Sequence, residues 1–190
     1  LAALLLILIL MEIKIETPQI LKFLKILSWI IFIGLCVEAG MYLFNGIYTM
    51  TINSYNARFL NLLDLYNYSS SFYIQEICFI SIVAILKAIM FYLIVKMLHE
   101  KKLNIEQPFT AEMGRFISYL SYLAFGIGLF SFWAFKFNNW LASNGVKLPT
   151  LESLNLEGHS IWIFMAIVMF VVGQIFKRGI EIQSEIDLTI

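Results

Sequence analysis

The chain has 190 residues and carries 13 Lys and Arg against 13 Asp and Glu, so its formal net charge is zero. This balance argues against a basic nucleic-acid-binding surface, and no direct nucleic-acid binding is predicted. Hydrophobic residues make up 61% and charged residues 14% of the chain, and the mean hydropathy is +0.83. Soluble domains are closer to half apolar and a quarter charged. The composition therefore predicts an integral membrane protein in contact with the lipid bilayer.

The chain opens with an apolar run, residues 1–10, that is too short to span a bilayer. No basic segment precedes this run, so it does not resemble a signal peptide. We interpret Met11 as the natural start and residues 1–10 as a start-site or expression extension outside the fold. Residues 11–190 are then predicted to form a single membrane domain, with Thr17 as the N-cap of its first helix and Pro18 at the first helical position.

Four stretches are long and apolar enough to cross a hydrocarbon core of about 30 Å as helices. They cover about residues 27–48, 74–98, 116–137 and 161–176. The last stretch keeps its helical pattern to about residue 187, beyond the expected end of the membrane. The sequence therefore predicts an all-α membrane protein, a bundle of four transmembrane helices.

The Lys and Arg residues are unevenly distributed between the two sides of these spans. One side has Lys14, Lys22, Lys25, Lys96, Lys101, Lys102, Arg115, Lys177 and Arg178, and the other has Arg58, Lys136 and Lys147. Basic residues accumulate on the cytoplasmic side of membrane proteins. We therefore predict that both termini and the loop between the second and third spans are cytoplasmic.

Several segments resemble one bacterial family. They are LKILSWIIFIGLCVEAG in the first span, LKAIMFYLIVKMLHEKKLN at the end of the second, QPFTAEMGRFI in the middle loop and, most specifically, the ending IFKRGIEIQSEIDLTI. From Met11 to Ile190 the chain resembles the integral-membrane family called domain of unknown function 2975. The resemblance implies four transmembrane helices in the bacterial inner membrane. Members are often encoded beside a small helix-turn-helix regulator, and this association implies a candidate partner.

Glu38 and Lys87 are the two charges predicted to lie inside the hydrocarbon. Each is 11 residues from the cytoplasmic end of its span, so both are predicted about 16 Å deep. Since an isolated charge at this depth costs roughly 2.5–3.5 kcal/mol, we expect the two to pair across the first and second helices. Gly34 and Ala84 lie on the same faces and would allow close approach. The pair would serve either as a structural contact, the favoured reading, or as part of an ion-linked transport site.

The sequence offers no ligand set for a metal or cofactor, and none is predicted. His99 and His159 are expected on opposite sides of the membrane, and Cys36 and Cys78 lack CxxC spacing. Nucleotide-binding and nucleophile motifs are also missing from the sequence. We therefore predict that the protein is not an enzyme, and an intramembrane enzyme assembled from scattered residues is the weaker alternative.

Small residues in the third span mark a helix-packing face. Ser118, Ser121, Gly128 and Ser131 fall on one side, and small side chains allow helices to approach closely in lipid. Gly126 points elsewhere, toward another helix or another subunit. A homo-oligomer therefore stays open as an alternative.

The cytoplasmic side carries the best candidate surface for a protein partner. In the middle loop, Thr110 is predicted to cap the third helix with Glu112 in its first turn. In the tail, Ile175, Gly179, Ile182 and Ile186 recur at helical spacing, so an apolar stripe should continue past the membrane. This stripe needs cover from the middle loop, the N-terminal segment, lipid or a partner protein. The partner-binding candidates are Pro108, Phe109, Lys177, Arg178, Ile182 and Ile186. The favoured function is a regulatory or accessory protein, and the alternative is a small transporter or channel subunit that uses Glu38 and Lys87.

Overall fold

The computed structural model describes residues 17–99 and 110–187. Five α-helices and one 3-10 helix follow each other along this part of the chain. They are α1 (Thr17–Thr51), η1 (Ser54–Leu60), α2 (Leu63–Tyr68), α3 (Ser70–His99), α4 (Ala111–Ser143) and α5 (His159–Asp187). The predicted start at Met11, the extension before it and the loop residues Pro108 and Phe109 lie outside the described residues.

Four of these helices are long and apolar enough to cross a membrane, which confirms the predicted number of spans. The helices are longer than the predicted spans, since α1 has 35 residues and α4 has 33. A helix of 35 residues is about 52 Å long and exceeds the hydrocarbon thickness. The apolar pattern identifies only the part of each helix that suits lipid, so it underestimates the helical length.

The start of α4 follows the predicted capping pattern. Thr110 has an extended backbone, and its Oγ1 accepts a hydrogen bond from the Met113 amide at 3.2 Å. Glu112 lies in the first turn, where a carboxylate favours the positive end of the helix dipole. The capping prediction is therefore confirmed.

The long helices pack in chain order, each against the next, in antiparallel pairs. The aromatic rings of Phe32 and Tyr92 lie 5.9 Å apart between α1 and α3. Asn138 on α4 contacts Glu76 on α3. All the helix ends rich in Lys and Arg therefore meet at one end of the molecule. We call this the basic end, and we call the opposite end, which holds η1, α2 and the α4–α5 connection, the loop end.

Gly46, rather than Gly34, provides the close approach between α1 and α3. A Cβ atom added to Gly46 would lie 2.6 Å from Ile77 Cγ2, whereas a Cβ on Gly34 would meet nothing within 4 Å. The expectation that Gly34 lies in a tight contact is wrong, because the residue has the right helical phase but no neighbouring helix beside it. Ala84 is buried as expected.

The predicted small-residue face of the third span is confirmed as the contact between α4 and α5. A Cβ on Gly128 would lie 2.7 Å from Ile163 Cγ1 and 3.0 Å from the Ile163 amide nitrogen. Ser121 Oγ donates to the Ala166 carbonyl at 2.9 Å. Gly126 faces α3, where its Cβ would lie 3.3 Å from Leu86 Cδ1.

The connection between α1 and α3 is mostly helical. Asn61 ends η1 in the left-handed conformation, and the Leu62 amide donates to the Ala57 carbonyl. Leu62 and Leu65 are fully buried. This segment therefore caps the helices at the loop end with apolar side chains, a role that its Asn-rich and Tyr-rich sequence did not indicate.

The four helices do not close into a ring. Within residues 17–99 and 110–187, α1 packs on α3 and η1 but does not reach α4 or α5. The α4–α5 connection, residues 144–158, folds back toward α1, and its Leu154 and Leu156 are buried in the core. The predicted four-helix bundle is therefore an open row whose first and last helices are separated, with the connection folded between the helices.

Candidate functional site

Glu38 and Lys87 lie at the same level of α1 and α3. The contact of Phe32 with Tyr92 lies on the basic side of both residues, and the contact of Gly46 with Ile77 lies on the loop side. Because α1 and α3 are antiparallel and touch at these two points, Glu38 on α1 lies opposite the residues near position 86 on α3. The matched depth follows from this register.

The two charges are joined through a third residue, Asn155 of the α4–α5 connection. Asn155 Nδ2 donates to Glu38 Oε1 at 2.6 Å, and Lys87 Nζ donates to the Asn155 backbone carbonyl at 2.8 Å. No direct ion pair between Glu38 and Lys87 occurs in the described chain. The expected direct pairing is thus replaced by a bridge, because the connection inserts a polar residue between the two helices.

Two aromatic residues complete this site, which we call the Asn155 cluster: Glu38, Tyr42, Lys87, Asn155 and Trp162. The Tyr42 hydroxyl donates to Glu38 Oε1 at 3.2 Å, and Lys87 Nζ lies 6.0 Å from the centre of the Trp162 ring. Tyr42 is buried, Glu38 and Lys87 are half-buried, and Asn155 is exposed. The cluster therefore opens to the surface on the side where α1 and α5 are apart.

A tight turn positions Asn155. Its φ angle is +54°, in the left-handed region that Asn tolerates better than most residues. The Leu156 amide donates to the Leu151 carbonyl, and the neighbouring Leu154 and Leu156 are buried. The turn presents the Asn155 side chain and carbonyl to α1 and α3 from a fixed position. In the sequence, only the position of Asn155 between two Leu residues of a loop hinted at this role. Its partners Glu38 and Lys87 are more than 60 residues away, so the sequence did not reveal them.

A second polar contact, Glu76 with Asn138, was missed in the sequence. Asn138 Nδ2 donates to Glu76 Oε1 at 3.0 Å, and Glu76 is fully buried between α3 and α4. Glu76 Oε2 and Asn138 Oδ1 have no hydrogen-bond partner. Glu76 stands at the start of the predicted second span, where a charge suggests an interfacial position. Only the length of α3 and α4 beyond that point brings it into the core.

The remaining candidates lie on α5. Lys177 and Arg178 are exposed, and Arg178 pairs with Glu181 on its own helix at 2.9 Å. Ile182 is 45% exposed. Ile186 belongs to the helix, but its side chain lies outside the described part of the structure. The structure therefore does not bring the α5 candidates together with Glu38 and Lys87, which lie nearer the middle of the helices.

The chemistry available to the Asn155 cluster is hydrogen bonding and charge. The part of the chain that the structure describes contains no group of three or more His, Cys, Asp or Glu side chains that could hold a metal ion. One carboxylate, one ammonium and one amide converge on a loop. Such a cluster can hold the connection against α1 and α3.

One protein-family model matches the chain. Its description is "Protein of unknown function (DUF2975)", and it matches residues 64–190. The match includes α3, α4 and α5 and the tail on which the resemblance was strongest, and it leaves out α1. No curated protein and no solved structure is detectably similar to the chain. Since the match covers more than half of the sequence, the chain belongs to the DUF2975 family of proteins of unknown function.

Proposed function

We propose that this protein is a multi-pass protein of the bacterial cytoplasmic membrane, without enzymatic activity, that regulates or assists a partner protein. Its basic end faces the cytoplasm in this proposal. The distribution of Lys and Arg between the two ends supports that orientation. The function rests on one observation: an apolar stripe on α5 continues beyond the basic residues, and none of the other described elements covers it.

The stripe lies on the side of α5 that faces away from α4. Gly173 and Ile180 mark the covered side, because Gly173 approaches Ser118 and Ile180 approaches Gly114. Ile175 and Ile182, half a helical turn away, are 59% and 45% exposed. The helix continues about 15 Å past Lys177 to Asp187. Lipid can cover Ile175, whereas Ile182 lies beyond the basic pair, and in this proposal the partner protein covers it.

A helix-turn-helix regulator is the candidate partner. The support is the resemblance to a family whose members are often encoded beside such a regulator. A membrane protein with no net charge is poorly suited to bind DNA directly, so the regulator would supply DNA binding and the membrane protein would hold it at the membrane.

The test is co-expression with a helix-turn-helix regulator of the kind encoded beside family members, followed by measurement of the regulator in the membrane fraction. We expect retention by the unmodified protein and loss with Ile182→Ser. Ile20→Ser is the matched control, since Ile20 is 42% exposed near the same end on α1. Equal retention by all three proteins, or no retention by any, would contradict the proposal.

A second candidate function is a small transporter or channel subunit. The observation that favours it is the Asn155 cluster, a carboxylate and an ammonium near mid-helix on an open side of the molecule. Reconstituted protein would then move an ion or solute across liposome membranes, and Glu38→Gln would abolish the flux. We expect no flux. A robust current that depends on Glu38 would place the transporter ahead of the accessory protein.

A further inference from the structure

A groove lies between α4 and α5 at the basic end. It has a volume of about 620 Å³, and Gly114, Ser118 and Gly173 line it. A Cβ on Gly173 would lie 3.2 Å from Ser118 Oγ, so the two helices are close at this point. Small side chains at the contact leave open space beside it. The groove therefore results from the packing of small side chains between α4 and α5.

Two positive charges line the groove from opposite helices. Arg115 belongs to α4 and Lys177 to α5, and both are exposed. Neither side chain has an ion-pair partner among the described residues. Glu181 also lines the groove, but its Oε2 accepts from Arg178 at 2.9 Å. The groove therefore has a net positive charge and suits an anion.

A third positive charge lies close by. A smaller groove, of about 280 Å³, runs between α3 and α4, and its lining includes Lys96, Arg115 and Tyr119. Arg115 and Tyr119 thus line both grooves. Glu112, which also lines the smaller groove, offsets one of its charges. Positive charge is therefore spread around Arg115 on both sides of α4.

The groove continues into an apolar, aromatic surface. Tyr119 and Tyr122 line the groove and are 55% and 60% exposed. Phe125, one helical turn beyond Tyr122 on α4, is 51% exposed. Tyr side chains favour the headgroup level of membranes, where the ring is apolar and the hydroxyl is hydrated. A charged rim that leads into exposed aromatic rings matches a molecule with an anionic head and an apolar tail.

We propose that this groove binds an anionic phospholipid. Arg115 and Lys177 bind the phosphate headgroup, and Tyr119 and Tyr122 pack against the glycerol region and the upper acyl chains. Basic pockets between transmembrane helices are suited to anionic headgroups. A free phosphate would use the charges but would leave the aromatic rings uncovered. The site is separate from the proposed partner surface, because Ile182 lies on the opposite side of α5.

The test measures lipid binding to the purified full-length protein by native mass spectrometry, with phosphatidylglycerol and phosphatidylcholine as probes. We expect preferential binding of phosphatidylglycerol. Arg115→Gln with Lys177→Gln should weaken that binding about 30-fold, since both charges are removed. The matched control is Lys22→Gln with Lys25→Gln, which removes two charges from the same end on α1 and should retain the preference. Arg115→Lys should retain most of the binding.

Three results would overturn the proposal. One is equal binding of the two lipids by the unmodified protein. Another is an equal loss in the α1 control, which would assign the effect to diffuse surface charge. The third is displacement of the lipid by millimolar inorganic phosphate, which would indicate a phosphate site. If the double variant does not fold, each single Gln variant replaces it, with an expected loss of about fivefold.

Discussion

At the scale of single residues, Asn155 connects the two charges in the middle of the helices. Its side chain binds Glu38 and its carbonyl binds Lys87, so one residue of a loop satisfies groups on two spans. Half-buried charges in a membrane protein are costly unless they are paired or hydrogen-bonded. The bridge therefore stabilises the fold and holds the connection in place.

Asn155→Gly is expected to lower the free energy of unfolding by about 1–2 kcal/mol, because a hydrogen bond to a charged group is lost. Glycine keeps the left-handed backbone and the carbonyl that Lys87 uses. Asn61→Gly is the matched control, since Asn61 also has a positive φ of 56° and its side chain makes no hydrogen bond with the described residues. Unfolding in detergent followed by circular dichroism measures both. Equal losses in the two variants would show that the Asn155 side chain contributes nothing.

Glu76 allows a second prediction at this scale. An amide at position 76 keeps the acceptor that Asn138 Nδ2 uses, and it replaces a carboxylate by a group that costs less to desolvate at a fully buried position. Glu76→Gln is therefore expected to leave stability unchanged or to raise it. Glu76→Ala should lower stability by about 1–3 kcal/mol, because Asn138 would be left buried without its partner. Thermal unfolding of the two variants checks this, and an equal loss in both would show that the negative charge itself is required.

At the scale of helices, close contacts depend on which glycines face a neighbour. Gly34 and Gly128 both lie inside membrane spans, and helical phase alone makes both plausible contact residues. The structure separates them, because α5 lies against Gly128 while nothing lies within 4 Å of a Cβ on Gly34. Small residues promote helix contact only where a second helix is present.

Gly128→Ala is expected to destabilise the protein by about 1–3 kcal/mol, since the added methyl group would lie 2.7 Å from Ile163 Cγ1 and 3.0 Å from the Ile163 amide nitrogen. Gly34→Ala should be neutral or stabilising by up to about 1 kcal/mol, because alanine favours the helix. Because both variants replace glycine by alanine, the intrinsic helix preference of alanine cancels when their stability changes are subtracted. Unfolding in detergent measures the difference, and equal effects would contradict a tight α4–α5 contact at Gly128.

At the scale of the whole molecule, the open row leaves α1 attached mainly to α3 and to η1. The basic residues gather at one end and the folded connections at the other. This polarity predicts that the loop end is outside the cell and the basic end is in the cytoplasm.

Cysteine labelling tests this topology. With Cys36 and Cys78 replaced by Ser, Lys147→Cys should react with a membrane-impermeant thiol reagent added to intact cells. Glu185→Cys should react only after the membrane is permeabilised. Lys147 lies in the α4–α5 connection and Glu185 near the end of α5, and both are exposed. The reverse labelling pattern would show that the positive charges do not set the orientation.

The sequence by itself determined the features that depend on local composition. The number of spans follows from apolar length, the α4 cap from Thr110 and Glu112, and the α4–α5 contact face from the spacing of Ser121 and Gly128. These features depend on residues a few positions apart in the sequence, or on the total apolar length of a helix that lies in lipid. For this reason they could be predicted without knowing which helices meet.

Only the tertiary structure decided how distant residues combine. The Asn155 bridge depends on the α4–α5 connection folding back toward α1 and α3. The burial of Glu76 depends on the packing of α3 against α4, and the open row on α1 packing against α3 without reaching α4 or α5. Hydropathy assigns a polar loop to water, because it cannot register that Leu154 and Leu156 supply apolar contacts inside the core. A loop residue satisfies charges on helices more than 60 positions away, and that pairing depends on three-dimensional packing alone.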